Sequence, residues 1–501
     1  MTDSRIAVID AGSSRARCFV FDREANLVAS RSMDWSYLAV DDASPFAREF
    51  DSVSLWAGLA RLVRETLSLP GASGGPVAAV TVTSQRQAVV FLDRDGREVY
   101  AGPNMDLRAV FEGGAIDEEM RDRVYGITGH TPSFFFTPAK LSWFRLHRPD
   151  TYSRIASAVT LADWLVWKLS SRLVSEPALA CEAGLLDVRQ GRWCSELLAE
   201  LGLPGNRHIP LVEPGTLVGA VDAGVSEETG LAEGTPVVVS GPDTQCGLLG
   251  MGVTEAGQAG IVAGWSVPVQ LVATHPMFSD SLQTWTGRHL LRDLWTVEST
   301  AGDAGNAYRW LAETVWGGGE DAFREMDAGA LRAPVGAEGA MALIGPARMD
   351  MGRVGMRQGG LLFPVPLTFS DLGRGHMARA ALEATAYAVR ANLEQVESVA
   401  GATATTVALG GGMVQTTTWV RILADVLGRE LRVSPAPHVS ALGGYACATK
   451  AVGEFGTLEE AAEPLAGRLQ TIQPDPAAHL EYQDHYERWT RLQEDLGRMP
   501  L

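Results

Sequence analysis

Between Arg5 and Val28 apolar runs alternate with polar turns. IAVID and ARCFVFD are rich in β-formers, and neither is long enough for an amphipathic helix, so they predict strand, tight polar loop, strand. A third strand is expected from Leu27 to Arg31. LWAGLARLVRETLSL then carries apolar residues at helical spacing, and PVAAVTVTSQ returns to a strand that ends in polar residues. VVFLDRDGREVY predicts a hairpin turning at Asp95 and Gly96. From about Leu107 to Gly230 helical patterns such as LADWLVWKLS dominate, until TPVVVSGPDT reopens sheet structure at residue 235. The order then partly repeats: a hairpin in IVAGWSVPVQLVAT, a strand in LWTVEST, helices, and TTVALGGGMVQTTTWVRILADVL. Two β-rich starts, each followed by helices, predict two similar α/β halves, residues 1–249 and 250–501.

The totals agree with that division. A chain of 501 residues is too long for one ordinary core, and 46% hydrophobic with 20% charged residues is typical of globular proteins. The apolar runs are too short and too punctuated for a membrane span, and MTDSRIAVID lacks the pattern of a secretory signal. Five scattered cysteines, never in a CxxC pair, argue for a reducing cytoplasm and against a zinc site or disulfide framework. A net charge of -18 disfavours nonspecific binding to nucleic acid or an anionic membrane. It leaves room for an anionic small ligand, because a loop of backbone N–H groups holds phosphate whatever the total charge.

Four stretches carry candidate chemistry, each with an ordinary structural reading beside it. DAGSS, residues 10–14, lies between two strands, so it is neither a Rossmann nor a Walker loop. Its small residues let N–H groups and hydroxyls approach an oxyanion, and Asp10 is placed to hold magnesium; a plain hairpin turn is the competing reading. SGPDTQCGLLGMG places Asp243 after an apolar strand, where a carboxylate faces a cleft as a general base or simply closes a turn. ALGGGMVQTTTW puts glycines between a strand and a helix beginning near Thr416, which suits a phosphorylated ligand or a tight connection. TSQRQAVV ends a strand with Gln85, Arg86 and Gln87, whose long polar groups either hydrogen-bond a polyhydroxylated ligand or are solvated. His147, His289 and His376 show no metal spacing.

Together, and in this order, these segments resemble the FGGY family of carbohydrate kinases within the actin, hexokinase and Hsp70 superfamily. The resemblance runs from about Ala7 to Gly453. It is carried by DAGSS, SQRQ, MDLR, FFTPAKLSWFRLH, GPDT, ESTAGDAGNAYRWL, HMARAALE, GGGM and LADVLG. It implies two ribonuclease H-like domains with ATP and substrate in the cleft between them. By position, Asp10 and Asp243 would organise Mg2+, and Gly12, Ser13, Ser14 and Arg17 would lie near the transferring phosphate. Asp243 would be the base that removes the substrate's hydroxyl proton. Gly411 and Gly412 would border the adenosine, and Gln85, Arg86, Gln87, Asp106 and Phe135 would line the sugar site. In AGWS, Gly264 and Ser266 would keep a phosphate hairpin. Its register is open: Trp265 either replaces a small neighbour or takes the place of the family's threonine. Asn104 stands where Trp is frequent, and His438 where Glu is common.

The implied activity is ATP-dependent phosphorylation of a small linear sugar or polyol. The substrate leans toward autoinducer-2 on MDWSYLAVDDASPFAREFD, TLADWLVWKLS and YQDHYERWTRLQEDLG, and toward glycerol on the Gln-Arg pair at Gln85, with the ketoses of xylulokinase and fuculokinase relatives as further alternatives. The competing expectation is a sugar- and nucleotide-binding regulatory protein with a damaged phosphate loop, motivated by Trp265 and His438. A homodimer is common among such proteins, and no interface is legible in the chain.

Overall fold

The computed structural model describes residues 4–13, 15–40, 44–206, 208–353, 358–367 and 371–498. Two mixed sheets organise it. The first has six strands in the order Leu217–Ala220, Pro236–Pro242, Val77–Ser84, Arg5–Ala11, Arg15–Phe21 and Leu27–Asp34. Arg5–Ala11, Arg15–Phe21 and Leu27–Asp34 form an antiparallel meander, as the alternating pattern predicts. Val77–Ser84 then runs parallel to Arg5–Ala11, and Pro236–Pro242 parallel to Val77–Ser84. Strands buried on both faces read as continuous apolar runs, and the seven residues of Arg5–Ala11 are all buried.

The parallel register is what assembles the site. It sets Ala11 beside Ser84, and Ser84 beside Pro242. Asp10, the Gln85–Arg86 pair and Asp243, more than two hundred residues apart in the chain at the extremes, therefore emerge from one edge of one sheet. Ligands of open α/β sheets bind beyond this carboxyl edge, where strands end and loops begin.

The second sheet repeats the plan. Its order is Trp285–Arg288, Trp295–Thr300, Pro268–Ala273, Gln258–Val262, Thr406–Gly410, Leu431–Val433 and Gln470–Ile472. Gln258–Val262 and Thr406–Gly410 are parallel, with Val262 beside Gly410, so the AGWS hairpin and the glycine cluster leave the same edge. The Asp95–Gly96 hairpin forms as expected, in a separate three-stranded sheet with Ser157–Thr160 that tops the helical middle region.

The halves are joined by exchanged helices. Asp243–Gly250 follows the last parallel strand of the first sheet, and Val439–Ala451 follows the corresponding strand of the second. The two helices cross closely because glycines remove the side chains between them. A Cβ on Gly443 would lie 1.9 Å from the Cys246 carbonyl oxygen, and one on Gly250 would lie 2.1 Å from that of Val439. Val439–Ala451 packs on the first sheet, where Ala441, Leu442 and Tyr445 share one apolar cluster with Ile6, Val8 and Val238. Among the described residues, no helix is long and apolar enough to cross a membrane.

Candidate active site

The DAGSS turn joins Arg5–Ala11 to Arg15–Phe21 and is held from behind. Trp35 Nε1 donates to the Gly12 carbonyl at 2.6 Å, and Gln85 Nε2 donates to the same oxygen at 3.2 Å. Tyr37 donates its hydroxyl proton to the Ser13 carbonyl at 2.6 Å, and Asn104 Nδ2 donates to Ser13 Oγ at 2.9 Å. With its carbonyls turned toward these partners, the loop leaves its other face to the cleft. Gly12, Ser13, Arg15 and Arg17 line that face. Ser14 lies outside the described residues.

Asp10 and Asp243 border the same cavity, of about 950 Å³, which is large enough for a nucleotide. Arg17 Nη1 stands 3.6 Å from Asp10 Oδ2. Burial raises the Asp10 carboxyl above its ordinary range, and Arg17 opposes the rise. Burial also lifts Asp243 to about 7; Arg86 lowers it, the charge of Asp10 raises it further, and the Thr244 N–H holds Oδ1 at 2.9 Å. A carboxylate poised near 7 suits a general base. Two buried acidic groups in one cleft also fit a hard divalent cation, which takes one or two carboxylates, waters and substrate phosphates.

The second sheet supplies the opposite wall. Gly264, Trp265 and Ser266 all line the cavity. The turn is closed by Gly264 N–H donating to the Ser266 carbonyl at 3.0 Å, and Gly305 N–H donates to the Trp265 carbonyl at 3.0 Å. Gly305 has to be glycine, since a Cβ there would come within 2.3 Å of the Gly264 carbonyl oxygen. Gly411 and Gly412 line the cavity as well, and they differ. Gly411 has φ +100° and lies against Ala263, whereas a Cβ on Gly412 would meet open space. His438 also faces the cavity and stacks on Phe19 with ring centroids 5.3 Å apart. Burial, with Arg17 adding to it, holds the imidazole down at about 4, so it is neutral at pH 7.

The five residues expected at the sugar site do not behave alike. Arg86 stands close enough to Asp243 for its charge to act there, and it donates a bidentate pair of hydrogen bonds to Glu298 at 2.6 and 2.8 Å, crossing to the second sheet. It also reaches Glu182 at 3.2 Å, and its guanidinium lies 5.8 Å from the Trp285 ring centroid. Gln87, at φ +60°, donates to Glu182 at 3.5 Å. Phe135 is half-buried among Phe134, Phe136 and Trp285. Gln85 is instead buried behind the DAGSS turn. Asp106 is also buried, both oxygens engaged: the Arg48 N–H at 2.9 Å, Arg108 Nε at 2.8 Å and the Tyr100 hydroxyl. Those two residues position loops; their side chains are spent on the protein itself.

The model for the N-terminal domain of the FGGY family of carbohydrate kinases matches residues 5–250, and that for the C-terminal domain matches residues 259–452. The chain belongs to the FGGY family of carbohydrate kinases. FGGY kinases named autoinducer-2 kinase, from Escherichia coli (strain SMS-3-5 / SECEC) and Salmonella typhimurium, are 30% identical over 507 residues and 29% identical over 509. Each alignment covers 98% of this chain and 94% of the relative. The xylulose kinase of Rhodospirillum rubrum superposes with a TM-score of 0.83 at 24% identity, over 98% of this chain and 99% of that one. Plasmodium falciparum glycerol kinase with ADP also gives 0.83, at 18% identity, over 100% and 99%. Both share the fold. As an FGGY kinase the chain is a phosphotransferase that uses ATP and acts on hydroxyls of a sugar or polyol.

Several residues of this FGGY kinase's site escape sequence reasoning. Trp35 and Tyr37 lie in the stretch that carries the substrate resemblance, but nothing in it assigns them a contact with the DAGSS turn. Glu182 and Glu298 sit within a helix and a strand that read as ordinary structure. His130 completes the pair: burial disfavours its charge, but Cys181 and Glu182 outweigh that and hold it protonated up to about 10. Only the co-location of a polar group with an apolar strand, as for Glu298 in WTVEST, hinted at an internal partner.

Proposed function

We propose that the chain phosphorylates a hydroxyl of a small linear sugar or polyol, with autoinducer-2 as the leading acceptor and ketopentoses and glycerol as further ones. What carries the reading is the convergence of Asp243, Asp10 and the open faces of three glycine-containing loops on a single cavity. The acceptor class rests on the names of the relatives aligned over 98% of the chain.

In this reading Asp243 takes the proton of the substrate hydroxyl as that oxygen bonds to the γ-phosphorus, and the bond from phosphorus to the β,γ-bridging oxygen breaks to release ADP. Phosphoryl transfer asks little covalent work of side chains, so orientation and charge stabilisation carry most of it. Gly12, Ser13 and Arg17 on one wall and Gly264 and Ser266 on the other surround the phosphates; Ser14 belongs to the same proposed set by its place in the chain. Gly411 and Gly412 border the adenosine. Arg86, Gln87 and Phe135 face the acceptor, while Gln85 and Asp106 hold the loops around it. Asp10 and Asp243 would hold Mg2+, which when bound neutralises phosphate charge. Domains 1–249 and 250–501 close on the two substrates and exclude water. Five buried cysteines, none of them in a disulfide, favour a reducing cytoplasm. The net charge of -18 gives no reason to expect a nucleic-acid partner.

The deciding experiment measures ADP release with Mg-ATP across autoinducer-2 precursor, glycerol, erythritol, ribulose, xylulose and fuculose. We expect one acceptor to dominate and Asp243→Asn to lower its turnover by roughly 10²–10⁴-fold, the range for losing a general base. Full turnover in Asp243→Asn would remove Asp243 from the mechanism.

A further inference from the structure

Trp35 and Tyr37 follow the end of strand Leu27–Asp34 and turn to one side, where both rings pack on Phe50 with centroids 5.3 and 5.1 Å away. Their polar atoms reach consecutive carbonyls of the DAGSS turn, Gly12 for the indole and Ser13 for the phenol. The Gly12 carbonyl is doubly engaged, since Gln85 Nε2 donates to it as well. Gln85 is oriented for that task by the Asn104 N–H, which donates to Gln85 Oε1 at 3.1 Å. A carbonyl oxygen has two lone pairs, so Gly12 keeps no unmet capacity that would draw its oxygen toward the cavity. Burial pushes the Tyr37 hydroxyl up to about 12, so it stays a donor at neutral pH.

The consequence falls on the other end of the same peptide. In a planar trans peptide the C=O and the N–H point in opposite directions. Holding the Gly12 carbonyl on Trp35 therefore aims the Ser13 N–H the other way, to the side where Gly12 and Ser13 border the cavity. Glycine at position 12 leaves this peptide free to take the reverse orientation, because φ of either sign is open to it. Reversed, the peptide would present a carbonyl oxygen to the cavity and repel a phosphate, whereas N–H groups attract one. An indole N–H only donates, so reversal would set two donors against each other at Trp35. A phenol both donates and accepts, so Tyr37 discriminates less sharply.

We propose that Trp35 and Tyr37 are positioning residues for phosphoryl transfer, fixing the peptides of the DAGSS turn so that it offers N–H groups rather than carbonyls to the phosphate. The inference rests on the reading of this turn as a phosphate loop, and adds to it what keeps the loop from presenting its other face.

Trp35→Phe and Tyr37→Phe keep a ring on Phe50 and delete the donor. Steady-state kinetics of the full chain, well below its melting temperature, and equilibrium titration with ATP and with adenosine test the proposal. Each variant should lower kcat/KM for ATP by about twofold to tenfold, the loss of one hydrogen bond between neutral groups, with Trp35→Phe the more severe. ATP binding should weaken, while adenosine binding and the KM for the acceptor stay at wild-type values. Wild-type kinetics in both variants, whatever their melting temperatures, would overturn this inference and leave the phosphate-loop reading standing. So would equal weakening of ATP and adenosine, or a larger loss at Tyr37 than at Trp35. A wild-type chain that binds ATP no better than adenosine would overturn the phosphate-loop reading itself.

Discussion

Asp243 links the chemistry of the site to the stability of the fold. Its carboxyl is held up to about 7, against 3.8 in the unfolded chain, chiefly by burial. The folded state therefore keeps a proton that the unfolded state has released between those two values. The associated stability is fully present below about 4 and is lost as pH rises through 7. Asp243→Asn, which never ionises, should accordingly match the wild type in urea denaturation at pH 4 and exceed it at pH 8. Equal midpoints at both pH values would show that the carboxyl is not held up. At this scale Asp10 and Asp243 were legible as candidates, because each ends an apolar strand and the strand pattern is visible in the chain. Trp35 and Tyr37 were not, since nothing local tells an indole or a phenol that its partner is the carbonyl of Gly12 or Ser13. Gln85 and Asp106 were legible as polar residues near the site, but which way each would turn depended on Asn104, Arg48 and Arg108, set by packing alone.

Among the elements, the glycine loop after Thr406–Gly410 separates two uses of one residue type. Gly411 occupies a left-handed conformation, and a Cβ there would approach the Ala263 carbonyl oxygen to 2.5 Å. Gly411→Ala should therefore destabilise the chain by about 1–3 kcal/mol, the range for strained backbone and overpacking, as read by chemical denaturation. Gly412 has open space over it, so Gly412→Ala should leave the denaturation midpoint unchanged and raise KM for ATP where the added methyl meets the nucleotide. The reverse order of effects would mean that the loop is placed differently. The hairpins and the helix after the glycine cluster could be read from periodicity, since each element's pattern is local. Helix Val439–Ala451 has an equally local pattern of apolar residues. Its burial against the opposite sheet could not be read, because an apolar face does not name the surface it will cover.

For the molecule as a whole, the buried contact of Arg86 with Glu298 ties the two sheets across the cleft, with side chains 10% and 2% exposed. Arg86 keeps Glu182 at 3.2 Å, so Glu298→Gln removes one of two carboxylate partners and should cost about 1.5–3 kcal/mol in chemical denaturation, the range for a hydrogen bond to a charged group. That loss should change little between low and moderate salt, because screening acts weakly on a buried pair. The exchanged helices carry the same connection further. The first sheet takes part of its apolar cover from residues 439–451, so the first half, expressed alone, would present bare strands to water and aggregate. The two halves are thus obligate partners that share one polypeptide. Chain continuity between Met251 and Gln258 is then dispensable once folding is complete. A protease cut placed there should leave a nicked species that elutes at the intact size and still turns over, and separately produced fragments should regain activity when refolded together.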